Sequence, residues 1–189
     1  MFRSVVFDRR CSAVGLRARL LCAGLAALFA PHALASSDDP GVVIAGYVEK
    51  ITLLENGQVL KAKLDSGART SSIHAVDVEI FERDDDEWVR FTLITDNEDD
   101  APRLKLERKR VRRVLIKDPD EDDDGDSRPV VELDICFNGR PYQAQFTLND
   151  RTGMLYTVLL GRMFLSNKAL INPAATFETL AHCDNGQAR

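Results

Sequence analysis

The stretch Lys61-Ala62-Lys63-Leu64-Asp65-Ser66-Gly67 constrains this chain more than any other. Its first half alternates: Val59, Lys61 and Lys63 face one way, and Leu60, Ala62 and Leu64 the other, the period-two pattern of a half-buried strand. That strand runs straight into a carboxylate, a hydroxyl and a glycine. A carboxylate at the end of a buried strand loses its water and needs hydrogen-bond donors in exchange. Ser66 offers a hydroxyl, and Gly67, which has no Cβ, lets a backbone N–H come close. Taken alone, Asp65-Ser66-Gly67 is most simply an Asx-turn closing a hairpin, so the rest of the chain must decide its meaning.

The remainder reads as many short strands. Val42 to Val48 and Lys50 to Leu54 form two of them, and Glu55-Asn56-Gly57-Gln58 is the turn into the Asp65 strand. Ile73 to Phe81 alternates, and the acidic turn Asp84 to Glu87 leads to Trp88 through Ile94. Leu104 to Ile116 alternates as one strand among basic residues. Val130 to Phe137 and Tyr142 to Leu148 flank a second Asn-Gly turn at Asn138-Gly139. Thr157 to Leu160 is a continuous apolar run suited to a buried strand, Gly161 to Lys168 opens a short helix, and Ala169 to Ile171 returns to strand. Turns every 8 to 12 residues, with no long helical periodicity, predict an all-β barrel or sandwich.

Residues 1–35 read as a secretory signal peptide. Arg9, Arg10, Arg17 and Arg19 precede an apolar stretch from Leu20 to Ala30, and Ala33-Leu34-Ala35 offers a cleavage site after Ala35. That stretch is shorter than the about 20 residues that span a bilayer, so a retained anchor is the secondary reading. The expected location is the periplasm or the outside of the cell, with no membrane attachment after cleavage. Residues 1–35 hold five of the 25 basic and one of the 30 acidic residues; 20 basic and 29 acidic remain, a net charge of −9. Such a balance argues against nucleic acid as a partner.

Beyond that segment the cysteines are Cys136 and Cys183, which an oxidising compartment permits to pair and which fit equally two buried thiols. In the acidic run Asp118 to Asp126, Asp120, Asp122, Asp124 and Gly125 match the first positions of a calcium loop. Val131 stands where the bidentate Glu belongs, which favours a solvated insertion between two strands.

Leu64-Asp65-Ser66-Gly67-Ala68 resembles the active-site loop of retropepsin-type aspartic proteases, and Val158-Leu159-Leu160-Gly161-Arg162, about 95 residues downstream, resembles their second signature. The chain is still more similar to a bacterial family of that fold labelled as ATP-dependent zinc proteases. The likeness is carried by Lys61 to Ala75, Arg128-Pro129-Val130-Val131, Leu148-Asn149-Asp150-Arg151 and Val158 to Leu165. It implies a small closed or partly open β-barrel with one short helix. On that reading residues 36–44 are a linker, 45–180 the retropepsin-like domain and 181–189 a C-terminal tail. Ser66 stands where such proteases more often have Thr, which keeps the hydroxyl; Thr157 and Asn172 replace a common Pro and Asp and are expected to affect only local packing.

The resemblance implies an aspartic peptidase. Amide hydrolysis without a metal or a nucleophilic side chain takes one carboxylate to activate water and one carboxylic acid to protonate the carbonyl. The chain supplies one such loop, so the resemblance implies a homodimer with Asp65 from each subunit as the dyad. Ser66, Gly67 and Ala68 complete the loop. Arg69, Thr70, Ser71, His74, Arg151 and Arg162 become candidate substrate-binding residues. Relatives associated with ligases that add glutamates make an acidic peptide substrate conceivable, since Arg69, Arg128, Arg151 and Arg162 could pair with carboxylates; the same arginines could equally offset the acidic surface. Neither word of the label finds support in the residues: His74, His182, Cys136 and Cys183 show no zinc spacing, and there is no Gly-x4-Gly-Lys phosphate loop. No cofactor or metal is therefore expected. A non-catalytic peptide-binding barrel is the rival reading, and a calcium-dependent structural protein a third.

Overall fold

A computed structural model of the chain describes residues 41–98, 100–116 and 126–183. The expected signal peptide, most of the linker and the acidic run up to Gly125 lie outside them. The described chain falls within one compact unit, Pro40–Arg189.

Ten strands and one short helix follow one another as β1 (Val43–Leu53), β2 (Val59–Asp65), β3 (Ser71–Arg83), β4 (Asp86–Ile94), β5 (Arg103–Lys109), β6 (Arg112–Ile116), β7 (Asp126–Phe137), β8 (Arg140–Asn149), β9 (Val158–Gly161), α1 (Arg162–Leu165) and β10 (Ala169–Thr176). Six of the strands close a barrel. β1 pairs antiparallel with β2, β2 parallel with β9, β9 antiparallel with β3, and β3 parallel with β8; β8 pairs antiparallel with β7, whose end returns to β1 through Thr52↔Cys136 and Leu53↔Ile135. β10 adds to the outer side of β1 and β6 to that of β7, leaving both as edge strands. The all-β retropepsin-like barrel with one short helix is therefore what the chain forms.

The alternation read from the sequence fills the barrel. Leu60, Ala62 and Leu64 of β2, Ile73 and Ala75 of β3, Leu133 and Ile135 of β7, and Phe146 and Leu148 of β8 meet in one continuous core. Phe164 of α1 stands edge-to-face against both Phe137 and Tyr142, with ring centroids 5.6 Å apart in each case. Asn138 and Gly139 both adopt positive φ, 49° and 72°, the geometry of a tight type I′ hairpin between β7 and β8.

Strand boundaries differ from the sequence reading in several places. The two strands expected at Val42–Val48 and Lys50–Leu54 are one continuous strand, β1, with a register shift between Gly46 and Val48. Gly46 permits it, because a Cβ there would lie 2.5 Å from the Ala175 carbonyl oxygen of β10. The single strand expected over Leu104–Ile116 is two: β5 pairs with β4, and β6 with β7. The chain crosses between sheets at Arg110 and Val111, whose N–H groups bond to the Glu87 and Val130 carbonyls. The strand expected at Ala169–Ile171 runs on to Thr176. Beyond Val76, β3 leaves the barrel with a register shift at Asp77 (φ 52°) and builds a three-stranded antiparallel insertion with β4 and β5.

Cys136 and Cys183 are joined by a disulfide, with Cα atoms 5.6 Å apart. It ties the segment after β10 to the end of β7.

Candidate active site

Parallel pairing of β2 with β9 sets Asp65 directly opposite Gly161. The Asp65 Oδ1 accepts the Gly67 and Ala68 N–H groups at 2.9 and 3.3 Å. These are the donors that a partly buried carboxylate requires. The side chain keeps 24% exposure, and Oδ2 has Lys63 Nζ 3.9 Å away. The carboxylate is thus fixed by one oxygen and open at the other.

The second signature clamps this loop from beneath. Arg162 donates its backbone N–H to Ala68 O (2.9 Å) and Met163 donates to Arg69 O (3.0 Å). Arg162 Nη1 reaches the carbonyls of Ser66 and Gly67 at 2.7 and 2.8 Å. Ser71 Oγ accepts the Gly161 N–H at 3.1 Å. A Cβ on Gly161 would meet Thr70 backbone carbon and oxygen at 2.7 and 2.8 Å, so only glycine lets the two segments approach this closely.

Beside the loop lies a cavity of about 520 Å³ whose lining includes Arg69, Arg112, Arg113, Arg128 and Arg151, and no carboxylate among the described residues. Arg151 is buried, with Nε donated to the Tyr156 carbonyl at 2.8 Å. Burial and the neighbouring Arg128 hold its guanidinium below the ordinary value, while Asp65 pulls it the other way; it stays a cation at any pH a protein meets. Arg112 donates to Thr70 Oγ1 and to Gln145 Oε1, both at 3.1 Å. On the wall, the Ser72 hydroxyl is buried without a protein hydrogen-bond partner. Arg128 is paired with Asp126 at 2.5 Å and Arg113 faces Glu87 at 3.6 Å, while Arg69, Arg112 and Arg151 keep the hollow cationic, which raises its potential for anions.

Of the substrate-binding residues expected from the sequence, Arg69, Thr70 and Arg151 line this cavity together with Ala68 and Arg128. Ser71, His74 and Arg162 do not. Ser71 lies beneath Gly161, the Arg162 guanidinium is spent on the loop carbonyls, and His74 is buried with Nδ1 accepting the Arg151 N–H at 3.0 Å. Nothing in the sequence assigns Lys63, Ser72, Arg112 or Arg113 to the site. The only signal for Arg112 and Arg113 was the basic run from Arg108, which does not say what it faces.

A zinc ion would find no ligand set here. Cys136 and Cys183 are bonded to each other, His74 gives Nδ1 to Arg151, and no three His, Cys, Asp or Glu residues gather for a metal among the described residues.

A model of the RimB-like family, described as "Retropepsin-like aspartic endopeptidase RimB", matches residues 44–180, which include the Asp65 loop, the Gly161 clamp and most of the arginine cavity's lining strands. The chain belongs to the RimB-like family. Among solved structures, a Legionella pneumophila protein of unknown function (DUF785) superposes with a TM-score of 0.61 at 34% identity, covering 73% of this chain and 98% of that one. Among curated proteins, a "Probable alpha-L-glutamate ligase" from Shewanella pealeana is 39% identical over 118 residues, 62% of this chain and 25% of the relative. One of the same name from Desulfotalea psychrophila is 32% identical over 139 residues, 73% of this chain and 30% of the relative. This RimB-like chain thus spans about a quarter to a third of the curated relatives it matches.

Proposed function

We propose that the chain is an exported aspartic peptidase of acidic peptides, in which Asp65 residues from two copies share one proton and activate a water. The reading is carried by one observation: a half-open carboxylate, held by two backbone N–H groups and braced by the Gly161-Arg162 segment, stands once among the described residues. Two such groups about 3 Å apart cannot both ionise, so one acts as base and the other as acid. The edge strand β10 lies beside the loop, and a cavity of about 530 Å³, lined by Val42, Leu165, Leu170 and Ile171 together with Ser66, Arg162 and Asn167, offers a second copy a part-apolar seat. Export is supported by the disulfide, which suits an oxidising compartment.

The substrate class follows from the cavity. Arginines bind carboxylates with paired hydrogen bonds, and the curated relatives are named for joining glutamate. A peptide rich in glutamate meets both observations. The matched region being a fraction of longer proteins named as ligases favours one second reading, a barrel that grips such peptides without cutting them.

The test is cleavage of a glutamate-tailed peptide, with a mixed peptide library beside it, by the protein and by Asp65→Asn across acidic to neutral pH. Asn keeps the shape and cannot carry the shared proton. Cleavage should vanish in the variant, a loss of at least about 10³-fold. Binding without cleavage by both proteins would support the gripping barrel. Cleavage that survives in the variant but not with chelator would overturn the aspartic mechanism.

A further inference from the structure

One buried histidine lines a second cavity and bonds to a residue that lines the arginine cavity. His74 of β3 lies alongside Asn149 at the end of β8, and its backbone N–H bonds to the Thr157 carbonyl at 2.8 Å. Its ring lines a cavity of about 630 Å³ together with Asp96, Glu98, Arg103 and Leu155. Its Nδ1 accepts the Arg151 backbone N–H at 3.0 Å. The Arg151 side chain reaches the arginine cavity beside Asp65. Next to the same nitrogen is Asp150, with Oδ1 3.8 Å from Nδ1. Nδ1 therefore has two exclusive uses. As a bare lone pair it accepts from Arg151; carrying a proton it can accept nothing, and it faces the Asp150 carboxylate.

We propose that His74 is a positioning residue for substrate recognition: neutral, it fixes Arg151 in the arginine cavity, and protonated, it turns to Asp150 and releases the Arg151 backbone. The inference rests on reading that cavity as the seat of an acidic peptide. The charged groups around the ring are Asp150 and Arg151 after β8, Arg103 of β5, and Asp96 and Glu98 after β4. Burial pushes the His74 pKa down from 6.5; Asp150 and a hydrogen bond to the Asn149 backbone oppose it, and Arg151 and Arg103 add to it. Hydrogen bonds from Thr152 hold Asp150 below the usual carboxylate range, so the alternative acceptor is charged whenever His74 is protonated. Acidic-peptide binding is accordingly full at neutral pH and falls as pH drops through a His74 pKa that lies below 6.5.

The experiment follows full-length protein from neutral pH to about pH 4.5 in two ways: NMR of the His74 ring and the Arg151 amide, and calorimetric binding of penta-glutamate. His74→Asn places a carboxamide oxygen near the Nδ1 position, where it accepts and does not titrate; His74→Phe keeps the bulk and removes the acceptor. The Arg151 amide should titrate with the midpoint of the His74 ring. Wild-type affinity should fall about tenfold more than that of His74→Asn across this midpoint, and His74→Phe should bind weakly throughout. The peptide's own titration is common to all three proteins. A pH response in His74→Asn equal to the wild type, or an Arg151 amide indifferent to the ring, would overturn the proposal. If His74→Phe does not fold, His74→Asn decides alone. Failure of the wild type to bind penta-glutamate at any pH would overturn the acidic-peptide reading instead, and the amide titration then decides the switch.

Discussion

A methyl group at Gly161 tests how the active-site loop is held. Its added Cβ would fall within 2.8 Å of two Thr70 backbone atoms, which have no rotamer to escape into. The Asp65–Thr70 loop must then shift, and overpacking of this kind costs about 1–3 kcal/mol. Gly161→Ala should lose that much stability in urea unfolding and nearly all of the proposed peptidase activity, because the carboxylate moves with the loop. Gly41→Ala, with nothing within 4 Å, is the neutral control. Equal behaviour of the two variants would show that the Gly161 clamp does not position Asp65. At this scale the sequence was informative where chemistry is local: Asp65, Gly67, Gly161 and Arg162 were legible as two short motifs. Ser72 and Arg112 were not, because a residue's place on a cavity wall depends on which strands pair. The same limit hid the bond from the Arg151 backbone N–H to His74 Nδ1, which joins two segments 77 residues apart.

Elements show the same division. Strand existence followed from alternation and Asn-Gly turns, whereas the break between β5 and β6 did not, because alternation continues across Arg110-Val111 while the partner changes from β4 to β7. The segment after β10 was equally illegible. It is anchored by Glu49, fully buried, whose carboxylate accepts N–H groups of Gly46, Glu178 and Thr179 and the Thr179 hydroxyl. Thr52 Oγ1 reaches Ala181 O at 2.6 Å, and the Cys136–Cys183 disulfide closes the far end. Sequence could name the two cysteines but not their separation in space. The disulfide closes a loop of 47 residues, for which about 2–4 kcal/mol of stabilisation is typical. The double variant Cys136→Ser, Cys183→Ser should lose about that much in thermal unfolding, and dithiothreitol should lower the melting temperature of the wild type while leaving the variant unmoved. A reductant that shifts neither would mean that the Glu49 network carries the segment alone.

For the whole molecule the decisive quantity is stoichiometry. One chain holds one Asp65 loop, and the proposed chemistry takes two. In the proposed dimer a second barrel adds at the free edge of β10, where Leu170 is 63% and Ile44 of β1 69% exposed, next to Ser66 and Arg162. If the dyad is shared, a mixed dimer of wild type and Asp65→Asn contains one carboxylate and is inactive. At fixed total protein and equal proportions, random exchange leaves about one quarter of the dimers fully wild type, so about one quarter of the activity should remain. Independent active monomers would leave about one half. The measurement needs no knowledge of the interface, because Asp65→Asn alters the reacting group and leaves the β10 edge untouched. Pre-formed homodimers mixed without time to exchange should give about one half and drift toward one quarter as subunits trade, which separates a composite site from simple inhibition. A mixture that stays at one half after exchange, shown complete by mass-labelled subunits, would place all the catalytic groups within a single barrel and require a second acid that Asp65 alone does not supply.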